Sequence, residues 1–194
     1  MIKGVRNWNN RNKVYRIQNN NLFEILKDGL WFCGPTSCAM CHDAIDSTIE
    51  KNPYGGDWLI QKEDYISGFF LTENNWNEFK KIRKLDLKKH PPYTVPQYYP
   101  LMFKRVFGRD ASFNWGGTFE KITKLVWDGN AVQICLKEPG HYIAAVAYDD
   151  ETGELIYHDP WPGRHADKDG FSKRMSRGEF ERNVESFYIL YNKD

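Results

Sequence analysis

Cys33 stands directly before Gly34-Pro35-Thr36-Ser37, and Ala39, Met40, Ala44, Ile45 and Ile49 follow at helical spacing. Pro35 suits the first turn of a helix, where its missing N–H would have had no intrahelical partner. The spacing predicts a helix from about Gly34 to Ile49 with Cys33 at or just before its N-terminus. There the unpaired N–H groups and the helix dipole favour negative charge, and so a thiolate. A thiolate is a nucleophile, and acyl chemistry at a nucleophile needs a base and a group that orients the base. His141, which opens an apolar run after Gly140, and Asp159, which precedes Pro160, supply these in chain order. The runs His141 to Tyr148 and Leu155 to His158 are joined by Asp149-Asp150-Glu151-Thr152-Gly153, a hairpin loop. A hairpin brings its open ends together, so His141 and Asp159 are expected to be neighbours, with His158 directed to the opposite face. Gln18 is the candidate oxyanion donor, its amide joining the Cys33 backbone N–H, with Asn19 and Asn21 as rivals.

The elements that must position these groups follow from pattern. Val14 to Gln18 reads as a short strand, Leu22 to Leu26 as a helical turn, and Asn52 to Asp57 as a turn closing the cysteine helix. Glu63 to Leu71, a segment capped by Thr72 and running to Leu85, and Val95 to Phe107 read as helices. Thr118 can cap Phe119 to Asp128, and Gly129 ends that helix. Ala131 to Leu136 and Phe187 to Tyr191 join the hairpin as strands, and Ser176-Arg177-Gly178-Glu179 has the form of a capping box. The chain is read as one domain over 1–194, with a helical part over about 30–128 and a β part over about 130–194.

Composition narrows the function classes. A chain of 194 residues, 41% hydrophobic and 27% charged, can bury a core of its own, and a net charge of +1 excludes a general binder of phosphate backbones. No nucleic-acid partner is therefore expected, and the candidate Cys33–His141–Asp159 chemistry calls instead for a peptide or protein substrate. The longest apolar run, Tyr142 to Tyr148, is far short of a membrane span. No apolar signal segment opens the chain, and with four cysteines a reducing, cytoplasmic setting is the default. Cys38-Ala39-Met40-Cys41-His42 lacks the second ligand pair that structural zinc requires, so Cys38 and Cys41 are read as packing residues. No metal and no cofactor is called for. Trp58, Trp115 and Trp161 are each either core or the lining of a groove.

Cys33-Gly34-Pro35-Thr36-Ser37, the helix ending at Gly129, the strand Ala131 to Leu136, Gly140-His141-Tyr142 and Asp159-Pro160 together resemble the papain-like cysteine peptidases. Within that superfamily they look like the branch typified by bacteriocin leader (double-glycine) peptidases and their stand-alone bacterial and phage relatives. The resemblance covers about residues 14–48 and 118–191. It implies an α+β fold in which an N-terminal cysteine helix and a helical lobe pack on an antiparallel sheet. It also implies Cys33 as nucleophile, His141 as base, Asp159 as third member and Gln18 as oxyanion donor. The expected activity is peptide or amide hydrolysis through an acyl-enzyme. A transglutaminase-like acyltransferase and a catalytically silent peptide-binding module are the competing functions. Amine-adduct products would mark the first, and an unreactive Cys33 the second.

Overall fold

The computed structural model describes residues 1–18, 32–45, 62–71 and 94–193. In chain order these form β1 (Ile2–Gly4), α1 (Arg11–Val14), α2 (Cys33–Ile45), α3 (Lys62–Leu71), α4 (Tyr99–Phe107), β2 (Ala111–Trp115), α5 (Phe119–Trp127), β3 (Ala131–Leu136), β4 (His141–Asp149), β5 (Glu154–His158), β6 (Lys173–Met175), α6 (Arg177–Asn183) and β7 (Val184–Tyr191). The strands make one antiparallel sheet in the order β2-β7-β3-β4-β5-β6, and β1 pairs with the far end of β4. This is the α+β arrangement of a cysteine helix on an antiparallel sheet. Among the described residues no helix is long and apolar enough to cross a membrane.

The central strands are covered on both faces, which explains why they read as continuous apolar runs. Along β4, Tyr142, Ala144 and Val146 meet α2, α3 and α4, while Ile143 and Ala145 meet the cluster built on Phe119, Ile122 and Val126 of α5. Local capping fixes the helices of the second face. The Thr118 hydroxyl accepts from the Lys121 N–H, and Ser176 and Glu179 complete a reciprocal capping box.

Two sequence expectations are corrected. Val14 to Gln18 is no strand: Val14 ends the helical turn α1, and residues 15–17 have no ladder partner. The Arg16 guanidinium is drawn instead to Asp43, at 2.7 and 2.9 Å, and to Glu63 at 3.0 Å. Ala111–Trp115, inside the range expected to be helical, is an edge strand paired with β7. The helical turn at Leu22 to Leu26, the turn at Asn52 to Asp57 and the helix from Thr72 to Leu85 lie outside the described residues, as do Asn19, Asn21 and Trp58.

All thirteen residues of α2 are buried, its polar ones included. A buried polar group must find a partner inside the protein. The Thr36 N–H and hydroxyl both donate to the Phe32 carbonyl, at 3.1 and 2.8 Å, which starts the helix at Cys33. The Ser37 hydroxyl donates to the Tyr142 carbonyl on β4 (3.0 Å). Gln133, the one polar side chain in the apolar run of β3, donates from Nε2 to the Gly34 carbonyl (3.1 Å) and accepts the Tyr191 hydroxyl (2.6 Å). The first turn of α2 is thereby fastened to the sheet beside the cysteine. At the other end Asp43 is paired with Arg16 and Lys62. Burial would raise its carboxyl, but His42, Arg16 and Lys62 together hold it well below the usual carboxylate range.

Gln133→Leu keeps most of the volume and removes both hydrogen bonds, leaving the Gly34 carbonyl and Tyr191 hydroxyl buried without that partner. Each such group costs about 1–3 kcal/mol, so urea denaturation should show a loss of about 2–4 kcal/mol. A loss under about 0.5 kcal/mol would mean that Gln133 does not fasten the helix.

Candidate active site

Cys33 is the first residue of α2 and is 8% exposed, within the first turn that Gln133 fastens. Pro35 is its third residue, where a missing N–H costs nothing. His141 is the first residue of β4. It follows Gly140, whose φ of +82° turns the chain sharply into the strand in a conformation that favours glycine. The β4–β5 ladder reaches Ala144↔His158, and beyond it the strand ends part. The Asp159 N–H donates to the Gly170 carbonyl at 2.8 Å instead of continuing the ladder.

The structure brings His141 and Asp159 together, with Nε2 of the imidazole 2.6 Å from Oδ1 of the carboxylate. Cys33 acts on the same ring electrostatically, and Nδ1 is the ring nitrogen that Asp159 does not occupy. Burial pulls the His141 pKa down, but the bond to Asp159 and the contact with Cys33 outweigh it and push the pKa up to about 9. Burial acts on Asp159 in the opposite sense. It is outweighed by His141, the Trp161 N–H and His165, which hold the carboxyl below its ordinary value. Gln18 is buried, and its backbone N–H donates to the Pro160 carbonyl at 2.9 Å, which ties it to the residue after Asp159.

The other cysteines take no part in this cluster of bonds. Cys38 and Cys41 are fully buried in the core beneath α2, and burial pushes both thiols far up. Cys135, on β3, is pushed up to about 12, again chiefly by burial. Among the described residues no group of three His, Cys, Asp or Glu side chains is arranged to hold a metal ion. Of the tryptophans, Trp161 is 42% exposed and stands edge-on to His141, with ring centres 6.0 Å apart. Trp115 is 65% exposed on the edge strand β2, against Phe113 and Phe187. Sequence reasoning missed Gln133 and His165. A lone glutamine inside an apolar strand was the available signal for the first. His165 had none beyond its place in the short Pro- and Gly-containing loop after Asp159.

The model of the Peptidase_C39-like family matches residues 11–188, which takes in Cys33, His141, Asp159 and the sheet from β2 into β7. The chain belongs to the Peptidase_C39-like family. This makes it a peptidase with the cysteine-peptidase fold. A crystal structure of a protein from Bacillus anthracis assigned as a C39-like peptidase is similar over 95% of this chain and 96% of that one, at 16% identity and a TM-score of 0.58. The N-terminal peptidase C39-like domain of a toxin secretion ATP-binding protein from Vibrio parahaemolyticus is similar over 52% of this chain and 70% of that one, at 19% identity and a TM-score of 0.38. No curated protein matches the chain by sequence.

In this C39-like peptidase the backbone around Asp159 is held by its neighbour. His158 is fully buried; its Nε2–H donates to the Trp8 carbonyl (2.9 Å) and its Nδ1 accepts the Ser172 N–H (3.1 Å). That pair of bonds selects the neutral ring, which stacks on Phe171 at 4.7 Å. Opposite His158, the Gly170 N–H donates to the Tyr15 hydroxyl. A side chain at position 170 would collide with the Asp159 carbonyl and come within 2.7 Å of Tyr15 Oη.

Burial lowers the His158 pKa to about 4, from 6.5 in an open chain. The unfolded chain therefore takes up this proton first as pH falls. The stability that neutral His158 contributes is whole above about 6.5 and is lost as pH drops towards 4. The loss is on the order of 3 kcal/mol. His158→Gln, less stable at pH 7, should lose correspondingly less than the wild type between pH 7 and 4 in urea titrations. Equal losses in the two proteins would place the acid sensitivity elsewhere.

Proposed function

We propose that the chain hydrolyses peptide bonds through a Cys33–His141–Asp159 triad and an acyl-enzyme. The observation that carries this reading is the grouping itself: a thiol on the first residue of α2, an imidazole on the first residue of β4, and a buried carboxylate 2.6 Å from Nε2 of that ring. The thiol passes its proton to His141, and the thiolate sulfur attacks the scissile carbonyl carbon. The carbonyl π electrons move to oxygen, which the Cys33 backbone N–H and the Gln18 amide stabilise. As the oxyanion collapses, the C–N bond breaks and the His141 imidazolium protonates the departing amine. Water then attacks the thioester, giving its proton to His141. Collapse expels the Cys33 thiolate and releases the carboxylic acid. Asp159 keeps the imidazole in line and supports its positive charge without taking the proton. Gln18 stands on weaker support than the triad, namely its burial and its bond to Pro160.

The test uses a fluorogenic peptide selected from a positional library, together with iodoacetamide. Cys33→Ala should abolish hydrolysis, and His141→Ala should lower kcat by about 10²-fold or more. Alkylation of the native protein should concentrate on Cys33, because burial pushes the other three thiols up and keeps them protonated, and His141→Ala should slow it at neutral pH. Above about pH 9 hydrolysis should fall as His141 loses the proton that the leaving amine requires, while alkylation of Cys33 continues. Full hydrolysis by Cys33→Ala, or alkylation rates equal in wild type and His141→Ala, would sink the reading.

A further inference from the structure

The Asp159 carboxylate has two oxygens, and its partners divide between them. Oδ1 accepts from His141 Nε2 at 2.6 Å and from the Trp161 N–H at 2.8 Å. Oδ2 faces His165 Nε2 at 3.0 Å, with Arg164 Nε further off at 3.8 Å. The His165 backbone is itself held, its N–H donating to the Pro162 carbonyl (3.1 Å) and its carbonyl accepting the Lys168 N–H (3.0 Å). The terminal torsion of an aspartate is soft, so a carboxylate gripped at one oxygen alone swings about that contact. A donor on the second oxygen stops the swing.

We infer that His165 is a positioning residue for the peptidase reaction: its ring N–H holds Oδ2 of Asp159 so that Oδ1 stays aligned with His141. The inference rests on the triad proposed above. It has two separable consequences. Without His165 the carboxylate is free to rotate, a smaller share of molecules holds His141 in line with Cys33, and kcat falls. Each donor also withdraws charge from the carboxylate. In molecules that remain aligned, an Asp159 relieved of one donor grips the His141 imidazolium harder, and His141 keeps its proton to higher pH. Among the described residues Arg164 also faces this carboxylate. Asp167, two residues beyond His165, is engaged by Lys173 at 2.6 Å.

The experiment measures kcat and KM of the full chain across pH with the same fluorogenic peptide. The proteins are wild type, His165→Phe, His165→Ala, His165→Gln and, as reference, Asp159→Ala. His165→Phe should lower kcat about tenfold with KM within about twofold, since misalignment at the reacting group costs rate rather than binding. The alkaline limb of kcat should move upward by a few tenths of a pH unit or more. His165→Gln, which keeps an N–H donor, should recover most of kcat and restore the limb. Should the Phe protein fail to fold, His165→Ala decides, because added imidazole can occupy the vacated, partly exposed position and should raise its kcat. Wild-type kcat in the Phe or Ala protein overturns the inference. So does equal loss in the Gln and Phe proteins, or no response of the Ala protein to imidazole. Failure of the triad itself reads differently, because Asp159→Ala would then keep wild-type kcat whatever the His165 variants do.

Discussion

A helix buried on every side has no solvent to complete its hydrogen bonds, and that constraint organises this protein. The residues of α2 that would normally face water instead meet the sheet, α1 and α3. Each neighbouring element supplies a specific bond: β4 receives Ser37, β3 reaches Gly34 through Gln133, and Arg16 just past α1 and Lys62 at the start of α3 close on Asp43. These bonds cost orientation freedom and return little net stability individually. Collectively they leave the helix one seat on the sheet, and Cys33 is at the end of that seat. The thiol is placed by polar groups on other elements.

The other half of the site depends on where a ladder stops. β4 and β5 pair as far as Ala144 and His158, and their ends then separate. His141 turns towards the cysteine helix, and Asp159 is caught by the returning chain at Gly170. Had the ladder continued, Asp159 would have spent its backbone on β4 and the short loop 161–165 would have had no carboxylate to close around. The loop brings the Trp161 N–H, the His165 ring and the Arg164 charge to one carboxylate, which offsets the cost of burying it.

Much of this was legible in the sequence because it is local. Pro35 three residues into a helix, a capping box at Ser176 and a hairpin between two apolar runs each have a mechanism that acts over a few residues. The order Cys33, His141, Asp159 then needed only the hairpin to place two of its members together. What escaped was set by distant partners. Val14 to Gln18 has strand-like composition, but Arg16 is claimed by Asp43 and Glu63, far along the chain. β2 is short, and it becomes a strand because β7 is there to pair with it. Gln133 and His165 looked ordinary because their bonding partners, Gly34 and Asp159, become neighbours only in the folded chain.

The close approach at Gly170 bears on how this sequence tolerates change. Position 170 lies eleven residues past Asp159, between Asp169, which pairs with Arg11, and Phe171, which stacks on His158. Here the Asp159 carbonyl and the Tyr15 hydroxyl already fill the space that any side chain would need. Substituting position 170 itself pushes on the backbone that carries the carboxylate. In a variant library of the loop, most positions would answer to what their side chains touch, and position 170 alone to emptiness rather than to any chemical group.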